Sequence, residues 1–176
     1  MTWATAQSVA GVLNLRHYLG ASKRGFAWDD DYGVVVFAKP TSRHLPQDGT
    51  WLELVRWCLF GGVANSGSMQ WRRMRAALQK DYPHVTTVVS YSDPSQGHTG
   101  ALYRACNWQW CPTWQRLRPP PTANGSWKDG KQQAVKDRWV FVLAPDARRD
   151  VLLRVNDESL QRRGIPTYKQ FAGRTP

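Results

Sequence analysis

Residues 88–108, VVSYSDPSQGHTGALYRACNW, pass from an apolar run through a polar turn into an amphipathic segment. Val85–Ser90 reads as a buried strand set between Pro83 and the Asp93-Pro94 turn. Gly97–Asn107 reads as a short helix. A strand end meeting a helix start is where an open α/β sheet gathers side chains for chemistry. Asp93, His98 and Thr99 stand at this junction, with Tyr103 one helical step further. On such a helix Tyr103 shares a face with Thr99 or Gly100, whereas His98 does not. Asp93 and Tyr103 are therefore expected to converge while His98 points elsewhere. Aspartate before proline also caps turns through its carboxylate, and that plainer reading stays open.

Upstream, Val34–Phe37 is a continuous apolar run and reads as a central strand. Pro40–Gly49 is rich in turn formers, and Trp51–Phe60 (WLELVRWCLF) alternates imperfectly, with Leu52, Leu54 and Trp57 as candidates for one face. Gly61–Ser68 punctuates the chain. A helix is expected from about Ser68 to Tyr82, with Trp71, Met74 and Leu78 at i, i+3 and i+7 forming its apolar stripe. Downstream, Trp139–Leu143 reads as a strand and Val151–Val155 as another. An irregular loop is expected over about 109–135, and a basic tail over about 160–176. The order predicts a single domain over residues 1–176, of α/β class, with a mixed sheet and no internal repeat.

The 176 residues carry 24 Lys plus Arg against 13 Asp plus Glu, a formal net charge of +11, so an anionic partner is expected. No apolar run approaches the ~20 residues that span a bilayer, and no segment reads as a signal peptide. Cys58, Cys106 and Cys111 cannot all pair with one another, so a reduced cytoplasmic setting fits. Ten Trp beside so many Arg suit stacking on bases and contact with phosphates, although most Trp residues of a folded chain are core.

Asn65-Ser66-Gly67-Ser68 starts a helix, where free N–H groups and the helix dipole receive anions. Ordinary capping by Ser66 or Ser68 explains the same residues. No phosphate-binding GxxxxGK[ST] loop and no GxGxxG occur. His98, Cys106 and Cys111 form no familiar zinc spacing, and an iron site built from His and Asp is not readable from spacing. His17-Tyr18 matters only if its segment folds over the active edge of the sheet.

HYLG at 17–20, GVVVFAKPTSRHLP, WLELVRWCL, the ANSGS helix start and SYSDPSQGHTGALYRACNW follow one another in an order that resembles the bacteriophage Mom family of DNA adenine modification proteins. The similarity covers roughly Asn14 to Trp108. That resemblance implies a GNAT-like (N-acetyltransferase superfamily) fold, with a mostly antiparallel central sheet flanked by helices. It implies conversion of adenine N6 in double-stranded DNA to a carbamoylmethyl form, which shields phage DNA from host restriction, in the cytoplasm of the host bacterium. By the same resemblance His17, Tyr18, Asp93 and Tyr103 become the catalytic set, with His17 or Asp93 as base. Asn65, Ser66, Gly67 and Ser68 become contacts to acyl-coenzyme A or a related donor. A serine-rich turn stands where a typical member of that superfamily has a glycine-rich one.

The target adenine would be flipped from the duplex, with Trp108 stacking on it and Arg43 and Arg104 on phosphates. Plain acetyl transfer does not give a carbamoylmethyl product, which is joined through a methylene carbon, so the donor and any iron requirement stay open, as does a homodimer. Two rival readings are acyl transfer from acyl-coenzyme A to a small-molecule or protein amine, and non-catalytic DNA binding.

Overall fold

The structure, a computed structural model, describes residues 2–111 and 136–144. Most of the expected loop over 109–135, the strand Val151–Val155 and the basic tail lie outside the described residues.

Strand β1 (Thr2–Thr5) and helix α1 (Ala10–Arg16) lead into β2 (Phe26–Asp30) and β3 (Gly33–Ala38). β4 (Trp51–Leu59), α2 (Ser66–Asp81) and β5 (Thr87–Ser92) follow, then α3 (Ala101–Ala105), β6 (Gln109–Cys111) and β7 (Asp137–Val142). They build one seven-stranded sheet in the order β1-β2-β3-β4-β5-β7-β6. Every pair is antiparallel except β4 with β5, which run parallel because α2 carries the chain across the sheet between them. The expected α/β architecture, a mixed and mostly antiparallel sheet flanked by helices, is the one found.

β3 is central, as its unbroken apolar run demands. Val35 and Phe37 face one core with Trp71, Met74 and Leu78 of α2, whereas Val34 and Val36 face a second with Val9 and Leu13. The stripe on α2 is thus the one its spacing predicts, extended by Gln70, which is 0% exposed. The helix stops just ahead of Pro83, where the Tyr82 N–H still reaches the Leu78 carbonyl.

The imperfect alternation of β4 has a specific cause. Arg56 pairs with Val36 and Leu54 with Phe37, so Val55 is an extra residue, a β-bulge. Before the bulge Leu52 and Leu54 face the larger core; after it Trp57 does.

Pairing between β4 and β5 runs from Trp51–Thr87 to Leu54–Ser90. Beyond that register both strands continue without each other, and the opening between them positions the site.

The expected helix over Gly97–Asn107 is corrected: only Ala101–Ala105 is helical, after a 3₁₀ turn at Pro94–Gln96. Gly97 and Gly100 take φ of 74° and 76°, left-handed values that break helical continuity. Gly100 is doubly constrained, because a Cβ there would lie 2.1 Å from the Trp139 ring.

Candidate active site

The cleft, about 1020 Å³, opens where β4 and β5 part, between the turn after α1 and the Gly97–Tyr103 segment. At its floor the Tyr103 hydroxyl lies 2.8 Å from Ser90 Oγ. Ser90 donates its single proton to the Leu54 carbonyl at 2.9 Å, so the phenol donates to Ser90. Leu54 and Ser90 are the last paired residues of the two strands, and this chain of hydroxyls marks the point of divergence. Trp139 stacks on the Tyr103 ring at 5.3 Å, while Trp57 and Trp108 meet it edge-on. Burial pushes the phenol up to about 12, so it keeps its proton across the physiological range.

His17 caps the C-terminus of α1, and Tyr18 follows it onto the cleft wall. Their rings stack at 5.0 Å, and His98 meets Tyr18 edge-on at 5.3 Å. The expectation that His98 points away is therefore corrected: the left-handed glycines turn the segment so that His98 and Tyr103 line one cleft.

Arg56 ties this turn to the sheet, donating from Nε to the Gly20 carbonyl at 2.9 Å and from Nη1 to its neighbour Val55 at 2.7 Å. Burial lowers the His17 imidazole from 6.5 to about 4, and the charges of Arg56 and His98 add to the effect. The unfolded chain therefore takes up the His17 proton first as pH falls. This group favours the folded state above pH 6.5 and loses that contribution as pH drops through about 4. Replacing Arg56 by glutamine removes one of the opposing charges, so the His17 pKa is expected to rise toward 6.5, as a ring-proton NMR titration would record.

Asp93 does not line the cleft. Its residue is 7% exposed, and Oδ1 accepts from the Ser95 N–H at 3.0 Å and from the Ser95 hydroxyl, the plain turn-capping geometry. Its charge still reaches the cleft through Tyr18, whose phenol is raised first by burial and then by Asp93.

The start of α2 also stands apart from the cleft walls. Asn65 takes a left-handed φ of 60° and gives no side-chain cap, and the Ser68 hydroxyl donates to the Asn65 carbonyl at 3.0 Å. The uncapped start leaves amide N–H groups without intrahelical acceptors, which suits an anionic group. However, Ser66 is buried, and Leu102 already occupies the space beside Gly67. The chemistry of the segment fits a phosphate of acyl-coenzyme A on its open side only.

The stacking role expected of Trp108 is corrected. The ring is 4% exposed and packed among Trp71, Tyr103 and Phe141, leaving no face for a base. Arg104 lays its guanidinium over Trp139 at 5.8 Å, and Arg43 is exposed on the loop before β4.

Arg56, Glu53 and Ser90 were not singled out by sequence reasoning. Their signal was present as polar residues inside apolar strands, two in WLELVRWCL and one after Val88-Val89. Glu53 is 8% exposed on the cleft wall, where Oε2 accepts the Thr41 N–H at 2.6 Å. Lys23, Arg24, Lys39, Arg56 and Lys136 line the same cleft, so its walls are predominantly basic. Among the described residues no three His, Cys, Asp or Glu side chains gather as a metal group, and no helix is long and apolar enough to cross a membrane.

Sheet order, the divergent parallel pair and the cleft between its strands define a mixed, mostly antiparallel α/β protein with its site at the point where two parallel strands part. A model of the Mom protein family matches residues 17–138, and the chain belongs to that family. Membership supports a transferase with a DNA-modification role. No curated protein matches the chain. A solved acetyltransferase from Bacillus subtilis, in complex with CoA, aligns with a TM-score of 0.37 and 16% identity, over 66% of this chain and 74% of that one.

Proposed function

We propose that the protein is a transferase that modifies the exocyclic N6 of adenine in double-stranded DNA, giving a carbamoylmethyl-type product. The observation that carries this reading is the half-buried, protonated Tyr103 at the floor of a basic cleft, where β4 and β5 separate. Membership in the Mom family supports the DNA-modification role.

The adenine amino group is a poor nucleophile because its lone pair is delocalised into the ring. The site must therefore orient it against the electrophile and stabilise the charge that develops. Tyr103 gives its proton to the leaving atom as the N6–carbon bond forms, turning its O–H from Ser90 into the cleft, and the proton shed by N6 passes through solvent back to the phenolate. Asp93 holds the turn that leads into the His98–Tyr103 wall of the cleft, through its bonds to Ser95. The donor, when bound, would supply an activated methylene carbon and not the thioester carbonyl of acetyl-coenzyme A, and a phosphate on it would be held by the open side of Asn65–Ser68. Lys23, Arg24 and Lys39, all exposed beside the cleft, hold DNA phosphates. Since N6 is paired in the duplex, the base enters the cleft flipped.

The consequence for a phage is protection. N6 presents its donor in the major groove, so substitution there removes the contact by which a restriction enzyme reads adenine.

Plasmid DNA from host cells making the soluble protein is expected to yield adenosine of increased mass on nucleoside mass spectrometry. Unmodified adenosine would overturn the reading. Acylation of small amines or proteins without DNA dependence would favour acyl transfer of the ordinary kind.

A further inference from the structure

We infer that His17 faces the cleft as a neutral hydrogen-bond donor, its proton on Nε2, and is not the base of the reaction. The geometry that requires this is local. The Leu19 N–H donates to His17 Nδ1 at 3.2 Å, and a nitrogen that accepts a hydrogen bond carries no proton. A neutral imidazole has one N–H, so it sits on Nε2. That atom has no protein partner among the described residues, and the residue lines the cleft.

The turn holding the ring is itself fixed. The His17 carbonyl accepts the Gly20 N–H at 2.7 Å, and the Gly20 carbonyl accepts from Arg56 Nε. Protonating Nδ1 would aim two N–H groups at each other and place a cation beside Arg56. The groups facing the ring oppose that charge from separate elements: Arg56 on β4 and His98 on the segment after β5. Tyr18 covers one face of the ring, and the Asp93 charge acts on the Tyr18 phenol. Burial adds to the same preference for the neutral form.

A neutral donor at this place serves an acceptor atom that gains negative charge as the group is transferred, and His17 keeps its proton throughout. This role deepens the proposed DNA-modifying reaction and rests on that reading; the tautomer does not.

The test has two arms. In uniformly ¹⁵N-labelled protein, with the His17 signals assigned by their loss in His17→Gln, long-range proton–nitrogen correlation is expected to show protonated Nε2 and unprotonated Nδ1. That pattern should persist from about pH 8 to about pH 5, because the ring titrates well below the ordinary value. A proton on Nδ1, or a ring that ionises near 6.5, would overturn the inference. In cells, His17→Gln supplies an amide donor but no base. It is expected to retain DNA modification within about tenfold of the parent, while His17→Ala loses about 100-fold or more. Equal losses in the two folded variants would also overturn it. Failure of the parent protein to modify DNA would remove the proposed reaction, yet leave the NMR result to decide the tautomer alone.

Discussion

Tyr103→Phe is expected to reduce adenine modification by about 10²–10⁴-fold, the usual contribution of a positioned proton donor. The substitution removes one oxygen and keeps the ring, so the stack on Trp139 and the edge contacts with Trp57 and Trp108 persist. Ser90 still donates to the Leu54 carbonyl, leaving the last paired residues of β4 and β5 as they were. The stability cost should be that of one lost hydrogen bond, about 1 kcal/mol. The ratio of modified to unmodified adenosine in co-expressed plasmid, read beside a thermal melt, separates the two effects. Modification within about threefold of the parent in a folded variant would mean the phenol is not the acid.

The second large effect concerns stability. Gln70 is 0% exposed and joins three parts of the fold from the inner face of α2. Its amide nitrogen donates to Asp30 at 2.9 Å and to the Gly33 carbonyl at 2.7 Å, and its oxygen accepts Trp57 Nε1 at 2.8 Å. Gln70→Ala leaves the Gly33 carbonyl and the Trp57 indole without those partners. Asp30 is left with Trp28 and the Tyr32 N–H. Each orphaned buried group costs about 1–3 kcal/mol, and the vacated volume adds to it, so a total of about 3–5 kcal/mol is expected. For a chain of this size that is a fall of roughly 10 °C in Tm. Because Trp57 flanks Tyr103, the cleft wall should loosen as well. A change below about 1 kcal/mol in denaturant unfolding would show that the network contributes little.

Much of the sheet was legible because its strands are short and strongly apolar. Val34–Phe37, Val85–Ser90 and Trp139–Leu143 each fall within a strand or overlap one closely, and the stripe on α2 fixed its buried face. Less visible were β1, β2 and β6. Trp28 on β2 and Cys111 on β6 are buried, yet their neighbours Asp29, Asp30 and Gln109 interrupt any apolar run. The site was legible in part. His17, Tyr18 and Tyr103 do meet at one cleft, whereas Asp93 is held by its turn and Trp108 by the core. His98 was misread because a 3.6-residue period was applied across two glycines whose left-handed backbone ends that period. Arg56 was hidden because its relation to Gly20 is set by tertiary folding, and no spacing within β4 announces it.

The additional residue at Val55 has a broader effect on how this chain can change. Strand side chains alternate strictly, so a one-position slip exchanges inside for outside along everything that follows. Pairing Val55 with Val36 in plain register would keep every atom of β4 yet rotate Trp57 away from α2 and drive Cys58 toward it. The arginine that anchors the His17 turn would swing to the opposite side of the sheet. The irregularity is what lets a single strand send Leu54 and Trp57 to the α2 side and Arg56 to the side of the His17 turn.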